Sequence, residues 1–214
     1  MTDAVRDGKT LWRRLKLDGG MARPREFDEG KVLDGAVECF WAQGYEATSV
    51  KDLMEKTGLT AASLYNAYGD KRAMFRTALD RYIENSIGAR IRRCEGLPPR
   101  DALRSFFDDI LHRSLSDREH KGCMVVNSAL ELAPHDPEFR KVIAAALKRI
   151  ETFFRVCAEN GQADGTITRS RAASTLAQHL LSVLMGVRVL ARVHPERRLL
   201  EGAIGTALTL LDDP

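Results

Sequence analysis

The chain has 214 residues, 44% of them hydrophobic and 29% charged, a globular composition long enough to bury a core without disulfides or a structural metal. Its formal charge of +3 is too small to establish a nucleic-acid partner, so any DNA-binding surface has to arise from local placement of charge. Cys39, Cys94, Cys123 and Cys157 form no CxxC pair and have no His at ligand spacing, which argues against a zinc site or a secreted disulfide scaffold and for a reducing, cytoplasmic setting.

Residues 1–26 lack a sustained apolar period but carry Arg6, Lys9, Arg13, Arg14, Lys16, Arg23 and Arg25, and read as a flexible basic arm. Met21, after Gly19-Gly20, leaves open that residues 1–20 are an upstream start or a cloning remnant. Arg23 and Arg25 suit a solvated arm or one that reaches a minor groove.

From Asp28 the apolar positions Val32, Leu33, Ala36, Val37, Phe40 and Trp41 recur at helical spacing, with Gly44 as the stop. The run Thr48-Ser49-Val50-Lys51-Asp52 reads as a capped start of a short second helix that ends at Gly58. Thr60 then caps a third helix, flanked by Leu59 and Leu64 at hydrophobic-staple positions. Asp70 opens a longer helix that keeps period to about Arg93. Gly96-Leu97-Pro98-Pro99 is the clearest break.

Beyond the break the same reasoning predicts helices near 100–115, 123–133, 137–160, 170–192 and 196–211; Asp136-Pro137-Glu138 supplies cap, N1 proline and first-turn acid in order. No alternating β-branched run appears, so the expected fold is all-α with about nine helices. The apolar stretch 180–193 is broken by Ser182, Gly186, Arg188 and Arg192, and neither a membrane span nor an export signal is expected.

Two short helices joined by a glycine turn and laid on a longer first helix form the arrangement that places one helix in a DNA major groove, although any small α-hairpin fits the same pattern. The wording is more specific. Residues 40–53, FWAQGYEATSVKDL, and 57–71, TGLTAASLYNAYGDK, closely resemble the amino-terminal signature of the TetR family of transcriptional regulators. The resemblance spans roughly residues 27–80. It implies a dimeric repressor without catalysis, whose third helices enter successive major grooves and whose carboxy-terminal domain binds a ligand.

The expected organisation is therefore a helix-turn-helix DNA-binding domain over 27–72, a connecting helix over 73–95 and a ligand-binding and dimerisation domain over 96–214. For DNA, Ala61 and Ala62 let the third-helix backbone approach the groove, or are simply good helix formers. Asn66 carries the donor–acceptor pair that reads adenine. Ser63 and Tyr65 offer hydroxyls to phosphates, and Thr48 stands where a helix end would face the duplex backbone, or acts as an N-cap. Lys71 matches the family's phosphate-contacting lysine. Ala67 departs from the aromatic or His common there and carries no group for that backbone contact, and Tyr68 reads as core.

The last two helices present apolar faces, Leu176, Leu180, Val183, Leu184 and Val187 on one and Leu200, Ile204, Ala207, Leu208 and Leu211 on the other, suited to a bundle across a homodimer or to an intramolecular core. Phe106, Phe107, Ile110, Met124, Asn127, Phe153, Phe154, Cys157 and His179 are candidates to line a pocket for a small, largely apolar effector, or are ordinary core. Cys123, after Lys121-Gly122 at a helix start, is a candidate redox or electrophile sensor. No HExxH, GxSxG, P-loop or dinucleotide fingerprint is present, so neither an enzyme nor a cofactor is expected. A helical interaction protein that binds no DNA would leave residues 48–71 unexplained.

Overall fold

The computed structural model describes residues 28–212, so the basic arm with Arg23 and Arg25 lies outside the described residues. Among these, nine helices and no strand are present. They are α1 Glu29–Gln43, α2 Val50–Thr57, α3 Ala61–Tyr68, a long α4 over 71–94, α5 Pro99–Ser116, α6 Met124–Glu131, α7 Pro137–Asp164, α8 Ala173–Val193 and α9 Arg197–Thr209.

The helix starts follow the capping chemistry. Asp28, Thr60, Asp70 and Asp136 each accept a first-turn backbone N–H through a side-chain oxygen. At α2 the cap is Ser49 rather than Thr48, in a reciprocal box with Asp52. Gly44 and Gly58 end α1 and α2 with positive φ, a conformation that disfavours residues with a Cβ.

α4 is not a uniform α-helix. Lys71–Ile83 and Ala89–Cys94 are α-helical, and Glu84–Gly88 between them forms a π segment. Such segments insert one residue into the helical register and often occur at functional positions. Nothing in the hydrophobic period announced it.

The amino-terminal helices close on Ala36, Phe40, Leu53, Leu64, Phe75 and Leu79, all buried. The core continues into the carboxy-terminal helices through Phe75, which lies 4.9 Å from Phe40, 5.0 Å from Tyr45 and 5.2 Å from Phe139 of α7 between ring centroids. Edge-to-face packing of this kind adds about 0.5–1.5 kcal/mol per pair beyond buried area.

α8 has the length and the mean hydropathy, 1.4, of a membrane span. Its inner face is packed within this fold, and the stripe Leu176, Leu180, Leu184 continues at the same spacing to Arg188, also buried. Of the two alternatives for the apolar faces, the intramolecular core accounts for Leu176, Leu180, Leu184, Val187, Leu200, Ile204, Ala207, Leu208 and Leu211, which are buried within one chain. The outer face instead exposes Val189, Leu190, Val193 and Leu199.

Candidate functional site

α3 is two turns long and holds only Leu64 fully buried; Ala62, Tyr65 and Asn66 face outward, with Ala61 and Ser63 partly covered. Ser63 is engaged at the cap, its Oγ 3.0 Å from Thr60 Oγ1. The outward group Ala62, Tyr65 and Asn66 is thus a single strip on a short helix, the geometry needed to enter a groove.

Lys71, at the start of α4, donates from Nζ to the Glu46 carbonyl at 3.3 Å and lies 4.5 Å from the Tyr45 ring centroid. Its ammonium is therefore held beside the α1–α2 turn rather than extended freely. Thr48 is corrected: it is fully buried, and its hydroxyl donates to the Gly44 carbonyl at 2.6 Å. It offers no side chain to a phosphate, because the bend after α1 needs a polar group to satisfy that inward carbonyl.

The α1–α2 turn is gripped from below. Glu131 at the end of α6 accepts from Tyr45 N–H at 3.1 Å and Glu46 N–H at 2.8 Å. A Cβ on Gly44 would lie 2.9 Å from the same carboxylate, which would have to shift, and the φ of 89° there favours glycine in any case. Arg72 bonds Asp136 and Glu138 at 2.8 Å each, and Lys121 Nζ bonds Glu38 at 2.9 Å. Gly122, in a left-handed conformation with φ 68°, turns its carbonyl toward both Trp41 Nε1 of α1 and Arg188 of α8.

Two cavities adjoin this junction. One of about 30 Å³ is lined by Phe106, Ile110, Ile150, Leu184 and Met185, with Cys123 on its wall. The other, about 430 Å³, opens between α1 and the carboxy-terminal helices and is lined by Val37, Trp41, Asn85, Arg113 and Asp117 among others. Tyr82, Ser86, Arg90 and Arg188 belong to both walls. Volumes of about 300–1,000 Å³ are usual for small-molecule sites.

The predicted pocket residues divide. Phe106, Ile110 and Cys123 border the smaller cavity. Phe107 and Phe154 stack at 5.5 Å in the closed core, where Met124 is also buried. Asn127 donates its amide to the Lys121 carbonyl at 2.9 Å and so fixes the loop before α6. Phe153 and Cys157 border a separate hollow of about 490 Å³ near Ile91 and Leu97. His179 is neither core nor cavity wall; it is exposed in a groove of about 810 Å³ on the α8–α9 surface with Val183, Leu199 and Ala203.

Electrostatics set the cavity apart. Asp109 serves three arginines, Arg90 at 2.6 Å, Arg113 at 3.0 Å and Arg93 at 3.1 Å. Burial raises the Asp109 carboxyl, but the Arg90 hydrogen bond and the surrounding cations outweigh it and the net shift is downward. Burial lowers Arg90 from its ordinary value and raises the Tyr82 phenol, next to Cys123. Burial also pushes the Cys157 thiol up to about 11 and raises Cys39 and Cys94.

Sequence reasoning missed Tyr82, Ser86, Arg90 and Arg188. For Arg188 a signal existed: an arginine four residues after Leu184 extends the buried stripe Leu176, Leu180, Leu184 and therefore has to be inside.

A short exposed helix following a glycine turn, packed against α2 and α4 beside a cavity-bearing helical bundle, defines a helix-turn-helix protein of the DNA-binding regulator class. Residues 32–78 match the bacterial regulatory proteins of the tetR family, and residues 99–207 match the tetracyclin repressor-like C-terminal domain. The chain belongs to the TetR family of transcriptional regulators, which are DNA-binding proteins and not enzymes.

The chain is 32% identical over 197 residues to the uncharacterized HTH-type transcriptional regulator YezE of Bacillus subtilis (strain 168), covering 90% of this chain and 100% of that one. It is 31% identical over 190 residues to the HTH-type transcriptional repressor ComR of Escherichia coli (strain K12), covering 88% of this chain and 90% of that one. Among solved structures, the TetR family regulator CifR, in a cysteine-mutant form complexed with 26 bp double-strand operator DNA, superposes with a TM-score of 0.79 at 31% identity. That match covers 89% of this chain and 100% of CifR.

Proposed function

We propose that the protein is a cytoplasmic, homodimeric repressor that binds a pseudo-palindromic operator and leaves it when a small effector occupies the two adjoining cavities. The single observation that carries this reading is the position of the larger cavity. Asp34, Val37, Glu38 and Trp41 of α1 form one wall, and Arg113, Gly122 and Arg188 form the other. A molecule seated there touches the DNA-binding helices and the carboxy-terminal bundle at once, so its binding energy can differ between their relative arrangements, which is all that coupling requires.

In this reading residues 27–72 read DNA, 73–95 connect and 96–214 bind effector and partner. Ala61 and Ala62 approach the groove, Asn66 reads a base, and Ser63, Tyr65 and Lys71 hold phosphates. Two subunits meet through the outer α8–α9 surface that carries His179, Val183, Leu199 and Ala203. Footprinting on genomic fragments, with mass measured in solution, tests the reading. A protected pseudo-palindrome and a dimer mass are expected; a stable monomer, or binding without sequence preference at physiological salt, overturns it.

A second reading is favoured by Cys123, which lies on the cavity wall at the start of α6, whereas the other three cysteines are buried. In it a thiol-reactive electrophile, rather than a reversible ligand, releases DNA. Release by electrophiles alone, abolished in Cys123→Ser, would establish it in place of the first.

A further inference from the structure

We propose that the effector is a singly charged organic acid, a carboxylate on an apolar body, whose charged end sits between Arg188 and Ser86. The proposal rests on the effector reading above and names the chemistry of that same site. Arg188 is buried at the middle of the bundle, 8% exposed, and lines both cavities. Of its five N–H donors, Nη1 gives one to Ser114 Oγ at 3.0 Å and Nη2 gives one to the Gly122 carbonyl. Both acceptors are neutral. Its Nε–H is buried with no acceptor, and so is the hydroxyl of Ser86, on another wall of the same cavities.

Buried cations in folded proteins are paired, because removing the charge from water is costly and only a counter-charge returns most of that cost. The acids around the larger cavity are already committed. Asp34 receives Arg81 at 2.7 Å, Glu38 receives Lys121, and Asp117 accepts the Gly122 N–H at 2.8 Å. Asp109 is shared by Arg90, Arg93 and Arg113. Arg188 has no carboxylate within salt-bridge distance among the described residues, while Arg90 and Arg113 add to the positive field on its side of the cavity. A bound anion completes the set.

Shape and sign narrow the class further. The smaller cavity that Arg188 also lines holds about 30 Å³, room for the charged end and little more. The body lies in the 430 Å³ cavity against Val37, Trp41 and Tyr82. Asp117 on that wall, held by a neutral backbone N–H rather than by a cation, disfavours a second negative charge, which selects a carboxylate over a phosphate dianion. The Ser86 hydroxyl faces inward from the π segment of α4, whose extra residue shifts the register at that point.

The test uses the full-length protein with a panel of aromatic and branched-chain carboxylates, benzoate among them, each paired with its primary amide, and inorganic phosphate alongside. Thermal shift and calorimetry read binding, and operator release is followed in parallel. Acids are expected to raise Tm, with their amides binding about 10- to 100-fold more weakly. Arg188→Gln is expected to abolish the preference for acid over amide and Arg188→Lys to keep part of it. Ser86→Ala, which leaves the buried cation in place and so guards against a misfolded Arg188 variant, is expected to weaken acids several-fold.

Equal affinity for acids and amides, undiminished acid binding by a folded Arg188→Gln protein, tighter binding of phosphate than of any carboxylate, or no stabilisation by any acid at about 10 mM would overturn the proposal. If acids bind through Arg188 but the operator stays occupied, the anion site stands and the release reading falls. If amides release the operator while acids do not bind, the reverse holds.

Discussion

The Glu131 carboxylate at the end of α6 accepts the Glu46 backbone N–H at 2.8 Å, across 85 positions of sequence. With its other oxygen on Tyr45 N–H, a side chain of the carboxy-terminal bundle satisfies two donors of the turn that sets α2 and α3. The DNA-binding helices are thus positioned partly by a group that does not belong to them.

Glu131→Ala is accordingly expected to lower stability by about 1 kcal/mol, through the part-buried Tyr45 N–H and the exposed Glu46 N–H that lose their acceptor. It should also reduce the fold-change in operator affinity caused by an effector. Urea unfolding measures the first and fluorescence anisotropy with labelled operator the second. Unchanged coupling in a destabilised variant would reduce the contact to ordinary packing.

Asn66 and Lys71 should separate base reading from anchoring. Asn66→Ala should cost about 1–3 kcal/mol on the preferred operator and relax preference at one position per half-site. Lys71→Ala should weaken all sequences alike and reduce the salt slope by about 1. Binding to a library of operator variants at several salt concentrations checks both, and equal effects on specificity would refute the assignment.

Thr48→Val should behave as a stability variant. Its loss of the hydroxyl to Gly44 leaves a carbonyl without its acceptor role filled, at about 1 kcal/mol. Operator affinity per folded molecule should change by less than about twofold, since the side chain is buried away from any duplex. A larger loss at constant fold would mean that the turn opens on DNA.

Glu84 supplies a pH dependence. Its hydrogen bonds to Arg149 and Arg92 hold its carboxyl down at about 2, below the ordinary 4.5. Because the folded value is the lower one, its contribution is full above pH 4.5 and is lost as pH falls from there toward 2. Glu84→Gln should flatten that part of the stability profile. Urea midpoints at about pH 5 and pH 3 measure it, and identical slopes in the two proteins would exclude the role.

Local chemistry was legible in the sequence wherever one residue type has one good use. Asp28, Thr60, Asp70 and Asp136 cap as their neighbours require, and the 40–71 run specifies the helix-turn-helix. What spacing does not carry is the identity of the partner across a face. Leu176 and Leu180 on α8 and Leu200 on α9 lie on apolar faces equally good for a second subunit or for their own chain, and only the three-dimensional packing assigns them to the latter. Thr48 and Ser49 are chemically equivalent candidates for one cap, and the choice depends on which hydroxyl the inward Gly44 carbonyl captures. The π segment left no mark at all, because one inserted residue merely rotates an otherwise regular pattern.

The length of α4 gives that segment a mechanical meaning. From Ser86 at the cavity wall to Lys71 beside the α1–α2 turn the helix runs about 22 Å, so a pivot of only about 6° at the lower end sweeps the upper end through about 2 Å. The π segment inserts one residue into the helical register at the end of that span, where Ser86 borders the cavity. A molecule too small to reach the operator could then displace the reading head by the width of a missed hydrogen bond, with the rigid shaft above it bearing the motion undamped.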